Sequence, residues 1–101
     1  MWGVKSLISG AIQMHVLHHV AEHEVHGAWM TEELARHGYK ISPGTLYPAL
    51  HRMEAAGLII GRDDLLQRRR VRYYAITDAG RAELAAGRET LRQLAQELLH
   101  P

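Results

Sequence analysis

Basic residues concentrate in one segment of the sequence. Over residues 40–72, seven Lys or Arg stand against three acidic residues, a local charge of +4, whereas the rest of the chain carries −3. Four of the arginines fall within five positions: Arg68, Arg69, Arg70 and Arg72. Guanidinium groups at this density neutralise phosphates and give a salt-sensitive affinity for nucleic acid. The alternative is a solvated loop that two preceding aspartates partly neutralise.

A segment upstream of these arginines has the pattern of a helix that reads DNA. The helix is predicted over Ser42–Ala56, because Ser caps free amides and Pro is tolerated in the first turn. Leu46, Leu50 and Met53 share the face expected to be buried. The candidate DNA contacts lie at the start and on the outer face: Ser42, Pro43, Gly44, Thr45, Tyr47, Pro48, His51 and Arg52. Small residues at the start allow close approach to a duplex, and the first amides attract phosphate. An ordinary amphipathic surface helix is the alternative.

Histidine is frequent, with eight in 101 residues. Four of them cluster at helical spacing and form a candidate metal site: His15, His18, His19 and His23. Imidazoles one helical turn apart can share zinc or a similar divalent ion, and Glu22 and Glu24 could complete the coordination. Packing within the core and a pH response are the alternatives. We expect no required cofactor and treat a divalent metal, Zn or Cd, as a candidate effector.

The elements that position these residues follow from the apolar periodicity. Three helices are predicted first, over Lys5–Ala21, from His26-Gly27 to about His37 and over Ser42–Ala56. Two strands follow at Leu58–Ile60 and Val71–Ile76, on either side of a polar tip at Arg62–Arg70. A last helix of about 23 residues begins at Thr77. Three helices and a hairpin make a winged helix-turn-helix. We therefore predict a mainly α (α+β) fold with a two-stranded wing. Residues 1–76 form the DNA-binding part and residues 77–101 a long C-terminal dimerisation helix, in one compact unit.

Two of the predicted helices carry more apolar surface than one small domain needs. The last helix repeats leucine every seven residues, a seam suited to packing against another helix. The first helix is apolar nearly all round, which indicates burial on more than one face. A homodimer contact is predicted from both helices: Leu84, Leu91, Leu94, Leu98, Ile8 and Ile12.

Composition and motifs exclude several classes of protein. The chain has no cysteine, so disulfides and thiolate metal sites are excluded. No apolar stretch is long enough to cross a bilayer, and the first residues lack the pattern of a signal peptide. We expect a cytoplasmic protein with no membrane partner. No nucleophile–base–carboxylate arrangement, phosphate loop or cofactor fingerprint is present in the sequence, so an enzyme is not expected.

Three runs of the sequence resemble the PadR family of transcriptional regulators. They are Val25-His26-Gly27, the run Ser42–Ile59 that begins Ser-Pro-Gly-Thr-Leu-Tyr-Pro, and Tyr73–Arg81 with its Thr-Asp-Ala-Gly. The resemblance covers roughly residues 12–100 and is similar to the short subgroup, in which the first helix and a single C-terminal helix build the homodimer. It implies double-stranded DNA as a partner, bound by the third helix and the wing.

The chain also departs from the family pattern. Ala28 stands where the family has Tyr, the connection before His26 is longer and rich in histidine, and Leu65-Leu66-Gln67 replaces a glycine-rich wing tip. Related short members bind flat aromatic compounds at the dimer interface. Trp2 and Trp29 are therefore candidate ligand contacts, with packing as the alternative.

The predicted function is a transcriptional repressor that binds operator DNA as a homodimer and is released by a small-molecule or metal effector. A winged-helix module that binds another protein is one alternative. A histidine-rich protein that binds divalent metal is the other.

Overall fold

Helices and one small sheet alternate along the chain in the computed structural model, which describes residues 3–100. The elements in chain order are α1 (Val4–Glu22), β1 (Val25–His26), α2 (Gly27–Arg36), α3 (Pro43–Ala55), β2 (Ile59–Leu66), β3 (Arg69–Ile76) and α4 (Asp78–Leu99). The predicted winged helix-turn-helix is confirmed. Trp2 lies outside the described residues. No helix within residues 3–100 is long and apolar enough to cross a membrane.

The core lies where the first three helices, the sheet and the start of α4 meet. Each helix contributes residues one turn apart, as its apolar periodicity requires. The buried apolar side chains of this core are Val16, Leu17, Val20, Val25, Met30, Leu34, Leu46, Leu50, Met53, Ile59, Tyr74 and Leu84. Burial of this surface stabilises the packing of α3 on the rest of the chain.

The wing is longer than the sequence indicated. Strands β2 and β3 pair antiparallel in one continuous register, from Ile59 opposite Ile76 to Leu66 opposite Arg69. The predicted tip of nine residues is therefore mostly strand, and its turn is only Gln67-Arg68. The apolar pattern could not reveal this, because both faces of the outer wing are exposed and residues 62–70 show no alternation of apolar and polar side chains.

A third strand joins the sheet at its other edge. Val25 pairs with Tyr74, and His26 pairs with Tyr73, which gives the strand order β1-β3-β2. Two residues are too few to show the alternating pattern of a strand, so this element was not predicted. It holds the start of α2 beside the wing.

Helix α4 begins at a tight junction. The Thr77 hydroxyl accepts a hydrogen bond from the Gly80 amide at 3.0 Å and donates to the Gly57 carbonyl at 2.5 Å. A Cβ at Gly80 would overlap the Leu58 carbonyl oxygen. The predicted cap at Thr77 is present, and Gly80 lets α4 pass close to the chain that leaves α3.

Candidate nucleic-acid interface

Helix α3 has one buried face and one exposed face. Its buried residues are Leu46, Ala49, Leu50 and Met53. The eight positions predicted to face DNA are all exposed: Ser42, Pro43, Gly44, Thr45, Tyr47, Pro48, His51 and Arg52. Near its start this outer face carries mostly small side chains. The helix backbone can therefore approach a surface as closely as a major groove requires.

The start of α3 exposes polar groups at the positive end of the helix. Ser42 is the N-cap residue and Pro43 lies in the first turn. The predicted side-chain cap is not formed: the Ser42 hydroxyl lies 3.4 Å from the Thr45 hydroxyl instead. Two exposed hydroxyls at a helix N-terminus can bind a phosphate together with the backbone amides. Lys40, exposed in the preceding turn, adds a cation that the sequence analysis counted but did not assign to the site.

The first turn of α2 supports the aromatic ring of α3. A Cβ at Gly27 would lie 2.5 Å from the Tyr47 ring, so only glycine fits beneath it. His26 caps α2, since its Nδ1 accepts a hydrogen bond from the Trp29 amide at 3.2 Å. The His-Gly pair thus holds Tyr47 in place while its ring stays 41% exposed.

Three arginines lie at and beside the turn of the wing. Both turn residues, Gln67 and Arg68, have positive φ angles, 51° and 67°. Positive φ at both central residues is typical of the two-residue turns that match the twist of a hairpin. Arg68, Arg69 and Arg70 are exposed and form no ion pair within residues 3–100. Their positive charge is therefore available to an anionic partner.

Arg72, which was predicted to contact DNA, forms ion pairs within the protein instead. Its Nη2 donates to Glu54 Oε2 at 2.7 Å, and its Nη1 donates to Asp63 Oδ1 at 3.1 Å. The Gly61 amide also donates to Glu54, at 3.0 Å. The Arg72 guanidinium and this amide hold the pKa of Glu54 below its usual range. We therefore assign Arg72 to positioning the wing against α3.

A second arginine ties the wing to the segment that leads into β1. Arg62 donates two hydrogen bonds to Glu24, at 3.0 and 2.9 Å, and a third to Asp64 at 2.6 Å. Its guanidinium lies over the Tyr73 ring, 5.0 Å from the centroid. The Arg62 guanidinium lowers the pKa of the Glu24 carboxyl. Sequence reasoning missed this link because its partners are 38 residues apart.

A cleft of about 410 Å³ opens between the wing and the start of α2. Arg69 and Arg70 line one side, and Ala28 and Tyr47 line the other. Ala28 is small and leaves the cleft open beside α3. The positively charged wall suits a sugar-phosphate strand running past the helix.

Comparison with known proteins identifies the family to which this chain belongs. The sequence model of the Transcriptional regulator PadR-like family matches residues 16–86. The chain belongs to the PadR family. It is 54% identical over 89 residues to Transcriptional regulator Rv3488 of Mycobacterium tuberculosis, a match that covers 88% of this chain and 83% of that relative.

Solved structures show the same architecture. The fold is similar to that of a PadR family transcriptional regulator from Eggerthella lenta, with 32% identity, a TM-score of 0.78 and coverage of 96% of this chain and 88% of that one. It is also similar to the putative transcriptional regulator TA0346 from Thermoplasma acidophilum, with 24% identity, a TM-score of 0.83 and coverage of 93% and 91%. Rv3488 and the Eggerthella lenta protein are named as transcriptional regulators, which agrees with the expectation that the chain is not an enzyme.

The predicted dimer residues of this PadR-family chain fall into two groups. Leu91, Leu94 and Leu98 are 47%, 42% and 72% exposed on α4, and Ile8 on α1 is 44% exposed. Leu84 is only 4% exposed and packs in the core of the single chain. Its side chain therefore contributes mainly to the core of its own chain, and its predicted place in the dimer contact stays a prediction. Ile12 is partly buried against the same core.

Three of the four predicted metal-site histidines, His15, His18 and His19, fall into two overlapping groups that share His19, and His23 belongs to neither. His15 and His19 come together with His37, a residue of the α2 end that spacing along one helix could not reveal. His18 lies beside Arg88, with its Nδ1 3.1 Å from Nη2 of that residue. His23 turns away, and its ring contacts Trp29 edge-on at 5.0 Å. Burial lowers the pKa of both His15 and His19.

Proposed function

We propose that this PadR-family regulator is a repressor that binds operator DNA through α3 and the wing. One observation carries the proposal: all eight α3 positions predicted to face DNA are exposed. Two of the three unpaired wing arginines, Arg69 and Arg70, line the cleft beside that face, and the third, Arg68, is exposed at the adjoining turn. In this mode α3 enters the major groove and the wing arginines contact the backbone.

The residues of α3 divide between backbone contact and base contact. Ser42 and Thr45 at the helix start are suited to phosphate, since their hydroxyls and the nearby amides meet the positive helix end. His51 and Arg52 lie on the exposed face further along the helix and can reach base edges. Arg52 pairs best with guanine, which offers two acceptors to a guanidinium.

We further propose that the repressor is a homodimer. The exposed leucines of α4 meet exposed apolar surface of α1: Leu91 and Leu7 line one groove, and Val4 and Ile8 are exposed on the same helix as Leu7. Soluble monomers rarely leave so long an apolar stripe uncovered. A second copy packed on this stripe would bury it and set two copies of α3 about one DNA turn apart on an inverted repeat.

An effector that binds near this dimer contact would release the operator. A cleft of about 250 Å³ lies between α1 and α4, lined by Met14, Leu84, Leu91 and Arg88 among others. Its apolar walls suit a small planar molecule. Because it adjoins the stripe, a ligand there would change how the two subunits pack and so the spacing of the α3 pair.

The direct test is fluorescence anisotropy of labelled duplexes from the upstream region of the protein's own gene and of neighbouring genes. We expect one fragment to bind at least a thousand-fold more tightly than random duplex, the low end for specific regulators. Equal affinity for all fragments would refute operator recognition. No DNA affinity even at low salt would favour the alternative of a protein-interaction module.

A further inference from the structure

A second cluster of chemically reactive side chains lies away from the DNA-facing surface, where α1 meets the end of α2. His15 and His19 are one turn apart on α1, and Glu33 and His37 are one turn apart on α2 and its C-cap. One nitrogen from each histidine lies within 4.8 Å of the other two. We infer that these four side chains bind one divalent transition-metal ion of the zinc class.

Glu33 is placed to act as the fourth ligand. Its Oε2 lies 3.8 Å from His19 Nε2 and 3.5 Å from His37 Nε2. Three imidazoles and one carboxylate are a donor set that zinc accepts in tetrahedral coordination. The carboxylate also supplies negative charge, which three neutral imidazoles do not.

The buried ring of His19 is an independent sign that the cluster binds a ligand. The residue is only 7% exposed, and its Nε2 is buried with no hydrogen-bond partner among the described residues. A buried polar atom left unsatisfied destabilises the fold, and native structures rarely leave one without a reason. A metal ion at the centre of the cluster would satisfy this nitrogen.

Aromatic rings flank two of the three histidines. The Trp29 ring meets His19 edge-on at 5.5 Å, and the Tyr39 ring meets His15 edge-on at 5.1 Å between centroids. Apolar walls lower the local dielectric and strengthen the attraction between an ion and its ligands.

A competing set, His18, His19 and Glu22, is less suitable. Its ligand atoms are equally close. However, the Arg88 guanidinium lies 3.1 Å from His18 Nδ1, and this permanent cation both occupies the lone pair and repels a metal ion. The site therefore uses His37 in place of the His18 and His23 that sequence spacing suggested.

Metal binding at this site acts on α3, a step that rests on the proposed function. His37 ends α2, and Ser42 begins α3 five residues later. Tetrahedral zinc fixes its ligand atoms about 3.3 Å from one another, so an ion bound here would join the end of α2 rigidly to α1. Because the connection from His37 to Ser42 is short, we expect this link to shift α3 from its DNA-competent position and so to weaken operator binding.

Titration of the purified full chain with Zn²⁺ and Co²⁺ tests the site. We expect the intense visible bands of tetrahedral Co²⁺ and a stoichiometry of one ion per chain. His37→Ala and Glu33→Gln should each weaken zinc binding at least about tenfold, the loss typical of even outer-shell changes. His18→Ala and His23→Ala are matched controls and should bind as the wild type does. Equal affinity in His37→Ala and His18→Ala, or only the weak bands of octahedral Co²⁺, would overturn the site.

A second measurement separates the site from its consequence. Zn²⁺ should weaken operator binding by the wild type at least about fivefold, the low end of allosteric coupling, and should leave His37→Ala unaffected. Unchanged operator affinity in zinc-loaded wild type would overturn the regulatory step. Failure of the metal-free protein to bind DNA would refute the proposed function, while the Co²⁺ spectra would still decide the metal site.

Discussion

The three unpaired wing arginines allow a quantitative test of the DNA interface. In the variant Arg68→Ala/Arg69→Ala/Arg70→Ala, each substitution removes an exposed charge that has no partner within the described chain. Each phosphate that a protein neutralises on duplex DNA contributes about 0.9 to the slope of log K against log salt. With one phosphate per arginine, the slope becomes shallower by about 2.7 per subunit and about 5.4 per dimer.

This change in slope is large enough to measure directly. Between 50 and 200 mM salt, a slope difference of about 5 makes the wild type lose about a thousand-fold more affinity than the variant. Anisotropy titrations over a salt series, with operator and with random duplex, give both slopes. Because backbone contacts carry no sequence information, we expect the loss of affinity at low salt to be similar for both duplexes.

The structure supplies the control for this experiment. Arg62 is also a wing arginine, but Glu24 and Asp64 already neutralise it. Arg62→Ala should therefore leave the salt slope close to that of the wild type, provided circular dichroism shows an intact fold. An unchanged slope in the triple variant would remove the wing from the interface. An equal change in Arg62→Ala would show that net charge, and not the wing tip, sets the affinity.

The apolar stripe on α4, the ion pair of Glu54 and the turn of the wing can each be tested by substitution. Leu94→Glu/Leu98→Glu should sediment as a monomer where the wild type is dimeric, whereas Leu65→Glu on the wing should not; a dimeric double variant would contradict the proposed interface. The fold lowers the pKa of the Glu54 carboxyl from its usual value near 4.3. The ion pair of Glu54 therefore stabilises the folded protein at neutral pH, and this stabilisation is lost as the pH falls through the folded pKa. Glu54→Gln should therefore cost on the order of 1 kcal/mol of unfolding free energy at pH 7 and little in acid, and a pH-independent cost would refute the assignment. Arg68→Gly should raise the unfolding free energy by about 1 kcal/mol, because glycine adopts the φ of 67° without strain, yet weaken DNA binding; a fall in stability would contradict the turn geometry.

The sequence predicted the structure well in helices whose apolar residues recur at helical spacing and form a single buried face. In α3, Leu46, Leu50 and Met53 recur at helical spacing and are all buried, so the exposed face followed directly. The start of α4 was predicted equally well, because threonine is a common N-cap residue and the Thr77 side chain caps the helix in the structure. Local rules succeed in such segments since every signal lies within a few residues.

Contacts between distant segments could not be predicted in the same way. The site at His15 and His19 gains His37 only because α2 folds back along α1, and the sequence spacing instead suggested His18 and His23. The burial of Leu84 had the same cause: a heptad pattern does not tell whether a leucine meets its own chain or a second copy. The outer strands of the wing escaped detection because they carry charges on both faces.

The ion pairs of the wing divide its arginines into two groups, those that fix the wing in place and those free to bind an anion. Arg62 is tied to Glu24 beside β1, and Arg72 is tied to Glu54 on α3, so the base of the wing is fixed to both neighbouring elements. Among the residues that the structure describes, the arginines at the tip have no acidic partner, so their charge is not neutralised. A wing that is fixed before DNA arrives loses little conformational freedom on binding, so more of its phosphate attraction becomes affinity. The acidic residues of this basic segment therefore do not oppose DNA binding: they hold the unpaired arginines where a DNA strand beside α3 can meet them.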